Sequence, residues 1–178
     1  MKKRFFDILV NIKYWLLYVV WSISTKRKEV IDGHEIYFLP VSKYFIWGFD
    51  EGNKIRFSEG FCLVKKQKLM IFLNHKECKV SNFRYTLLHE YIEGNYLLEQ
   101  DGIKDGLESK LKPIYKRASE EMTKNFPFLL EAIDVSWEKD NKAREHILAL
   151  VIEFDLASRE MTPDRLTLFV DDMIKNRL

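Results

Sequence analysis

Lys68-Leu69-Met70-Ile71-Phe72-Leu73-Asn74, then Ser81-Asn82-Phe83-Arg84-Tyr85-Thr86-Leu87-Leu88-His89-Glu90-Tyr91-Ile92-Glu93, is the stretch that decides the fold. Its first half is short, apolar and strand-like. Its second half opens on residues that can cap a helix, Ser81 or Asn82, and continues with an apolar face of Leu87, Leu88, Tyr91, Ile92 and Leu98. The chain therefore changes from strand to helix near Ser81.

Upstream, His34–Leu39, Tyr44–Trp47, Ile55–Phe57, Phe61–Val64 and Leu69–Leu73 read as further strands, rich in β-branched and aromatic residues. Asp-Glu-Gly-Asn (50–53) and Ser-Glu-Gly (58–60) are turn chemistry, and Lys65-Lys66-Gln67-Lys68 reads as a hairpin tip. Downstream, Asp101-Gly102 ends the first helix and Pro113 suits the start of a second. A break falls at Asn125-Phe126-Pro127. A third helix is expected over about 139–160, apolar on nearly all sides between Ile147 and Phe154 and hence buried. Thr162-Pro163-Asp164 opens a last helix, 163–176. The expected class is α+β: an N-terminal helix, a small antiparallel sheet, then a cluster of helices. Two parts are expected, a basic aromatic helix over 1–28 and one α+β domain over 29–178.

The 178 residues suit one ordinary domain, and 47% hydrophobic content suffices for a core. The net charge of +2 conceals an imbalance. Residues 1–28 hold seven basic side chains and one acid, Asp7, so the remainder is net acidic. That remainder offers no basic stripe for phosphates, so no nucleic-acid partner is expected. Cys62 and Cys78 allow one disulfide at most and read as two thiols in a reducing compartment.

Phe5 to Ile23 is apolar except for Asp7, Asn11, Lys13 and Ser22. It is almost long enough to span a bilayer, yet Asp7 and Lys13 would each cost about 2.5–3.5 kcal/mol near the centre of a span. Both flanks are basic, and no small-x-small cleavage site follows. Asp7, Asn11, Tyr18, Ser22 and Thr25 share one narrow polar face, while Trp15, Trp21, Tyr14 and Tyr18 suit a membrane interface. Two readings stand level: an amphipathic helix on a membrane surface, and a helix docked on the chain's own core. A true span ranks third. The expected location is the cytoplasm, with the inner membrane surface as the place a basic end would dock.

His89 and Glu93 lie one helical turn apart, so both can reach one cation, and Glu90 stands beside them. Imidazole and carboxylate are ordinary zinc ligands, and a free carboxylate next to the ion can take a proton from bound water. The helix resembles the active-site helix of zincin metallopeptidases, His-Glu-x-x-His, here in the form His-Glu-x-x-Glu. The resemblance covers about residues 60–123, and only the helix is specific. It implies His89 and Glu93 as ligands of one divalent ion, zinc in the family, and Glu90 as general base. It also implies that Met70–Leu73 is an edge strand pairing with an extended peptide or protein substrate. Glutamate in place of the second histidine adds negative charge and favours harder ions such as manganese or calcium.

A third ligand is needed, together with an open position for water. Zincins often take it from a following helix. There Glu121 lies about 60° from the inward stripe of Ile114, Ala118 and Met122, while Glu120 points away. Glu153 and then His146, on the buried helix, are its rivals; their alternative role, with Asp155, is pairing with Lys or Arg on neighbouring helices. Tyr115 is a candidate oxyanion donor. The expected function is that of a metal-dependent hydrolase of zincin-like peptidase type. The alternative is a non-catalytic membrane- or protein-interaction protein with a degenerate or structural motif.

Overall fold

In the computed structural model, the described residues are 2–31, 34–49, 55–65, 68–75, 83–100, 107–139 and 144–178. The chain divides into two compact units, Met1–Tyr91 and Ile92–Leu178. The α+β expectation holds: an N-terminal helix and a small sheet precede a series of helices.

The first unit contains α1 (Lys2–Ile23), then β1 (Arg27–Ile31), β2 (His34–Val41), a 3-10 turn (Lys43–Phe45), β3 (Trp47–Phe49), β4 (Ile55–Phe57), β5 (Gly60–Lys65) and β6 (Lys68–Asn74). It also holds the start of α2 (Phe83–Gln100). The main sheet has the order β1-β2-β6-β5, and β3 and β4 form a separate antiparallel pair. The expected antiparallel sheet is instead mixed. β1/β2 and β5/β6 are antiparallel hairpins, but β2 and β6 run parallel, with Phe38 opposite Ile71. The physical reason is connectivity: β3, β4 and β5 intervene between β2 and β6, leaving chain enough for a crossover.

Both faces of this sheet are covered, which explains the unbroken apolar run in β6. Met70 and Phe72, with Leu39 and Val41 of β2, pack against Leu17 and Trp21 of α1. Ile71 and Leu73, with Ile36 and Phe38, pack with Cys62 and with Leu87 of α2. Thus α1 docks on the chain's own core. No described helix is long and apolar enough to cross a membrane. β1 had no counterpart in the sequence reading, and Tyr44–Trp47 divides between the 3-10 turn and β3. The expected caps Ser81 and Asn82, the turns at 50–53 and 101–102, the hairpin tip 66–67 and Cys78 lie outside the described residues. Cys62 is buried and forms no disulfide among the described residues.

The second unit continues α2 and adds α3 (Leu107–Asn125), α4 (Pro127–Lys139), α5 (Arg144–Glu160) and α6 (Pro163–Asn176). The helix expected to start at Pro113 starts earlier and carries Pro113 inside it. The longer helix buries Leu111 in line with Ala118 and Met122, and that burial overrides the local preference of proline for a first turn. The break at Phe126 is present, with Pro127 opening α4. Residues 127–139, unassigned in the sequence reading, form a helix through buried Leu129 and Ile133. α5 is buried on nearly all sides, as its composition predicts. α6 has the bounds expected and buries Leu166, Val170 and Met173 at helical spacing.

Candidate metal centre

Helix α2 is unbroken through the motif, so His89 and Glu93 occupy one face, one turn apart. His89 and Glu90 are buried, at 5% and 7% exposure. In the helical unit, Glu93 Oε1 meets His146 Nδ1 of α5 at 2.8 Å. The other ring nitrogen of His146, Nε2, lies 3.0 Å from the Arg177 carbonyl oxygen. A carbonyl can only accept, so Nε2 carries the proton, and the ring is oriented with Nδ1 toward Glu93. Two chemical states fit this arrangement. Without a cation, the contact is a hydrogen bond with one proton between Nδ1 and Oε1. With a cation, the Nδ1 lone pair is a donor, and the Nε2–H bond to a carbonyl is the usual outer contact of a metal-bound histidine.

Two sets of side chains could hold a metal ion: His89, Glu93 and His146, and Cys62, Glu90 and Glu93. Among the sequence candidates, His146, ranked third, meets Glu93 directly, whereas Glu121, ranked first, belongs to neither set. The Glu121 Oε1 atom accepts from Asn125 Nδ2 at 2.6 Å on the exposed side of α3. Glu153 is 1% exposed and is held by Arg177, whose Nη1 and Nη2 donate to Oε1 and Oε2 at 2.7 and 2.6 Å. Asp155, also buried, accepts from Arg117 Nε and Nη2, each at 2.7 Å, and pairs with Arg159. These two acids follow the pairing alternative, as buried carboxylates require. Tyr115 is 39% exposed, where water weakens any bond it could offer an oxyanion.

The strand expected at the sheet edge, Met70–Leu73, is interior, because β2 pairs with its other side. The edges are β1 and β5. β5 begins at Gly60, and here sequence reasoning missed a role. A Cβ at Gly60 would stand 2.6 Å from Glu90 Oε1 and 2.7 Å from Glu90 Cγ. Gly60 therefore makes room for the buried Glu90 side chain and is a strand residue, where Ser58-Glu59-Gly60 had suggested only a turn. A glycine at the start of an edge strand carried no sequence signal for this contact.

Comparison with protein-family models, with curated proteins and with solved structures gives no significant match for this chain.

Proposed function

We propose that the chain is a metal-dependent hydrolase in which His89, Glu93 and His146 hold one divalent cation and Glu90 acts as general base. The observation that carries the reading is the 2.8 Å approach of His146 Nδ1 to Glu93, one turn after His89, with Nε2 anchored on the Arg177 carbonyl. Two imidazoles and one carboxylate are the donor set of several catalytic zinc sites, which leave a fourth position for water. The histidine missing from the His-Glu-x-x-Glu helix is then supplied by α5. The donor set carries one negative charge, which favours zinc over the harder ions that Glu93 and Glu121 together would favour. Glu90 would take the proton of an attacking water, and a cation held by His89, Glu93 and His146 would supply Lewis-acid activation. An extended peptide is the favoured substrate class, because edge strand β5 starts against Glu90 and can accept a further strand.

Metal analysis of the purified chain, followed by zinc titration of wild type, His89→Ala and His146→Ala, tests the site. The expected result is close to one ion per chain in wild type, and affinity lowered at least about tenfold in each variant. Equal uptake by all three proteins refutes it. Glu90→Gln separates catalysis from structure: metal retained, with peptide hydrolysis reduced about 10²–10⁴-fold, is the expected outcome. Unchanged hydrolysis in that variant, or none in wild type loaded with metal, refutes the catalytic assignment.

A further inference from the structure

Helix α1 has two apolar faces. One, through Leu17 and Trp21, covers the sheet, and Lys13 lies on the same side, donating to the Trp47 carbonyl at 2.6 Å. The other bears Ile8 (55% exposed), Ile12, Trp15 (59%), Leu16 and Ile23 (79%). At 100° per residue these five fall within an arc of about 100°, roughly opposite Leu17. Burial of one face thus leaves a second apolar stripe of α1 exposed. An outward stripe of three isoleucines, a leucine and a tryptophan is an unusual surface for water.

Charge identifies what covers it. Lys2, Lys3 and Arg4 open the helix, and Lys26, Arg27 and Lys28 follow its end. Lys26 and Arg27 are exposed, and Lys28 is exposed but paired with Glu35. Basic residues flank the apolar stripe in the sequence on both sides, a pattern that complements an anionic surface with an apolar layer beneath it. Juxtamembrane basic residues and an interfacial tryptophan are the two features that hold an in-plane helix on acidic lipid.

We propose that the outer face of α1 docks the protein on an anionic membrane surface, with the helix lying in the plane of the interface and not crossing it. The stripe enters the headgroup boundary while Leu17 and Trp21 stay on the sheet, so docking leaves the first unit folded. The docking does not depend on the proposed metal centre.

The full chain tests this in co-sedimentation with two vesicle types, phosphatidylcholine alone and phosphatidylcholine mixed with phosphatidylglycerol. The wild type is expected to sediment with the mixed vesicles, little with the neutral ones, and less as salt rises. The double variant I12E/W15E, at two exposed positions, should lose about tenfold in partitioning while keeping its circular dichroism and thermal midpoint. The charge variant K26E/R27E should lose binding to the mixed vesicles only. The blue shift of tryptophan emission on binding should shrink in Trp15→Phe. Equal sedimentation of wild type and I12E/W15E overturns the proposal, as does absence of wild-type binding to acidic vesicles. A lipid-free dimer that I12E/W15E dissociates also overturns it, because a second copy would then be the occupant.

Discussion

Replacing Arg177 with methionine tests Glu153, one of two buried acids of α5. The Glu153 carboxylate is 1% exposed, and both of its oxygens take bonds from one guanidinium, at 2.6 and 2.7 Å. Methionine keeps much of the aliphatic stem and leaves the Arg177 carbonyl in place for His146. What is lost is the charge opposite Glu153. Breaking a buried ion pair by removing one partner costs about 3–5 kcal/mol, because the remaining charge stays desolvated. For a urea m value of about 2 kcal/mol/M, that is a fall in midpoint of roughly 2 M. Urea unfolding followed by far-ultraviolet circular dichroism measures it. Two internal controls accompany the variant. The double variant E153M/R177M should recover most of the loss, since an apolar pair of similar volume replaces the ionic one. The deficit of Arg177→Met should also narrow at acid pH, where Glu153 can take up a proton. A loss below about 1 kcal/mol at neutral pH, or an equal loss in the double variant, would refute the reasoning.

Three further outcomes are expected. Burial lowers the Lys13 pKa to about 8 from 10.5, so the folded chain binds fewer protons than the unfolded one between those values. Stability should therefore rise with pH across that window, by up to about 3 kcal/mol, less whatever the Phe61 ring face at 3.9 Å contributes to holding the charge. Lys13→Met should flatten the profile from pH 8 to 10.5, and an unchanged slope in denaturation curves would contradict the assignment. Gly60→Ala should displace Glu90, because a Cβ would lie 2.7 Å from its buried Cγ. The expected loss is about 1–3 kcal/mol of stability; full stability in urea would show that Glu90 yields freely. Arg117 and Arg159 share Asp155, and each side chain is about half exposed. Each alone, changed to methionine, should cost under about 1 kcal/mol, but the pair should cost more than the sum, because only then is Asp155 left unpaired. Additive losses in a double-mutant cycle would count against a shared role.

The elements that local chemistry specifies were legible in the sequence. Thr162-Pro163-Asp164 starts α6 where expected, Ile55–Phe57 is β4, and the all-round apolar character of Ile147–Phe154 marks a buried helix. What failed depends on residues distant in the chain. The run Met70–Leu73 reads as a strand, but nothing within it reveals that β2 lies alongside, so its place inside the sheet was lost. The neighbour of Glu93 was out of reach for a similar reason. A helical wheel places Glu121 near an inward stripe, yet it says nothing of which helix approaches Glu93, and α5 brings His146 there. Glu153 and Asp155 were legible as charges in need of partners, though Arg177 and Arg117 as those partners were not. Gly60 reads as a turn because glycine often is one; its use as empty space for Glu90 is visible only in three dimensions.

The parallel seam between β2 and β6 also bears on how the first unit assembles. β1/β2 and β5/β6 are hairpins with short connections, whereas Phe38 must find Ile71 across β3, β4 and β5. Local hairpins close in about 1–10 μs, while non-local pairing waits on the entropy of the larger loop. The seam is thus the slow step expected in refolding. Until it closes, β2 and β6 present open backbone edges beside apolar side chains such as Phe38, Leu39 and Phe72, the kind of surface that recruits another unfinished chain. Refolding yield should fall with protein concentration, and Ile71→Thr, which weakens the seam, should make the fall steeper; a yield independent of concentration in both proteins would refute this order of events.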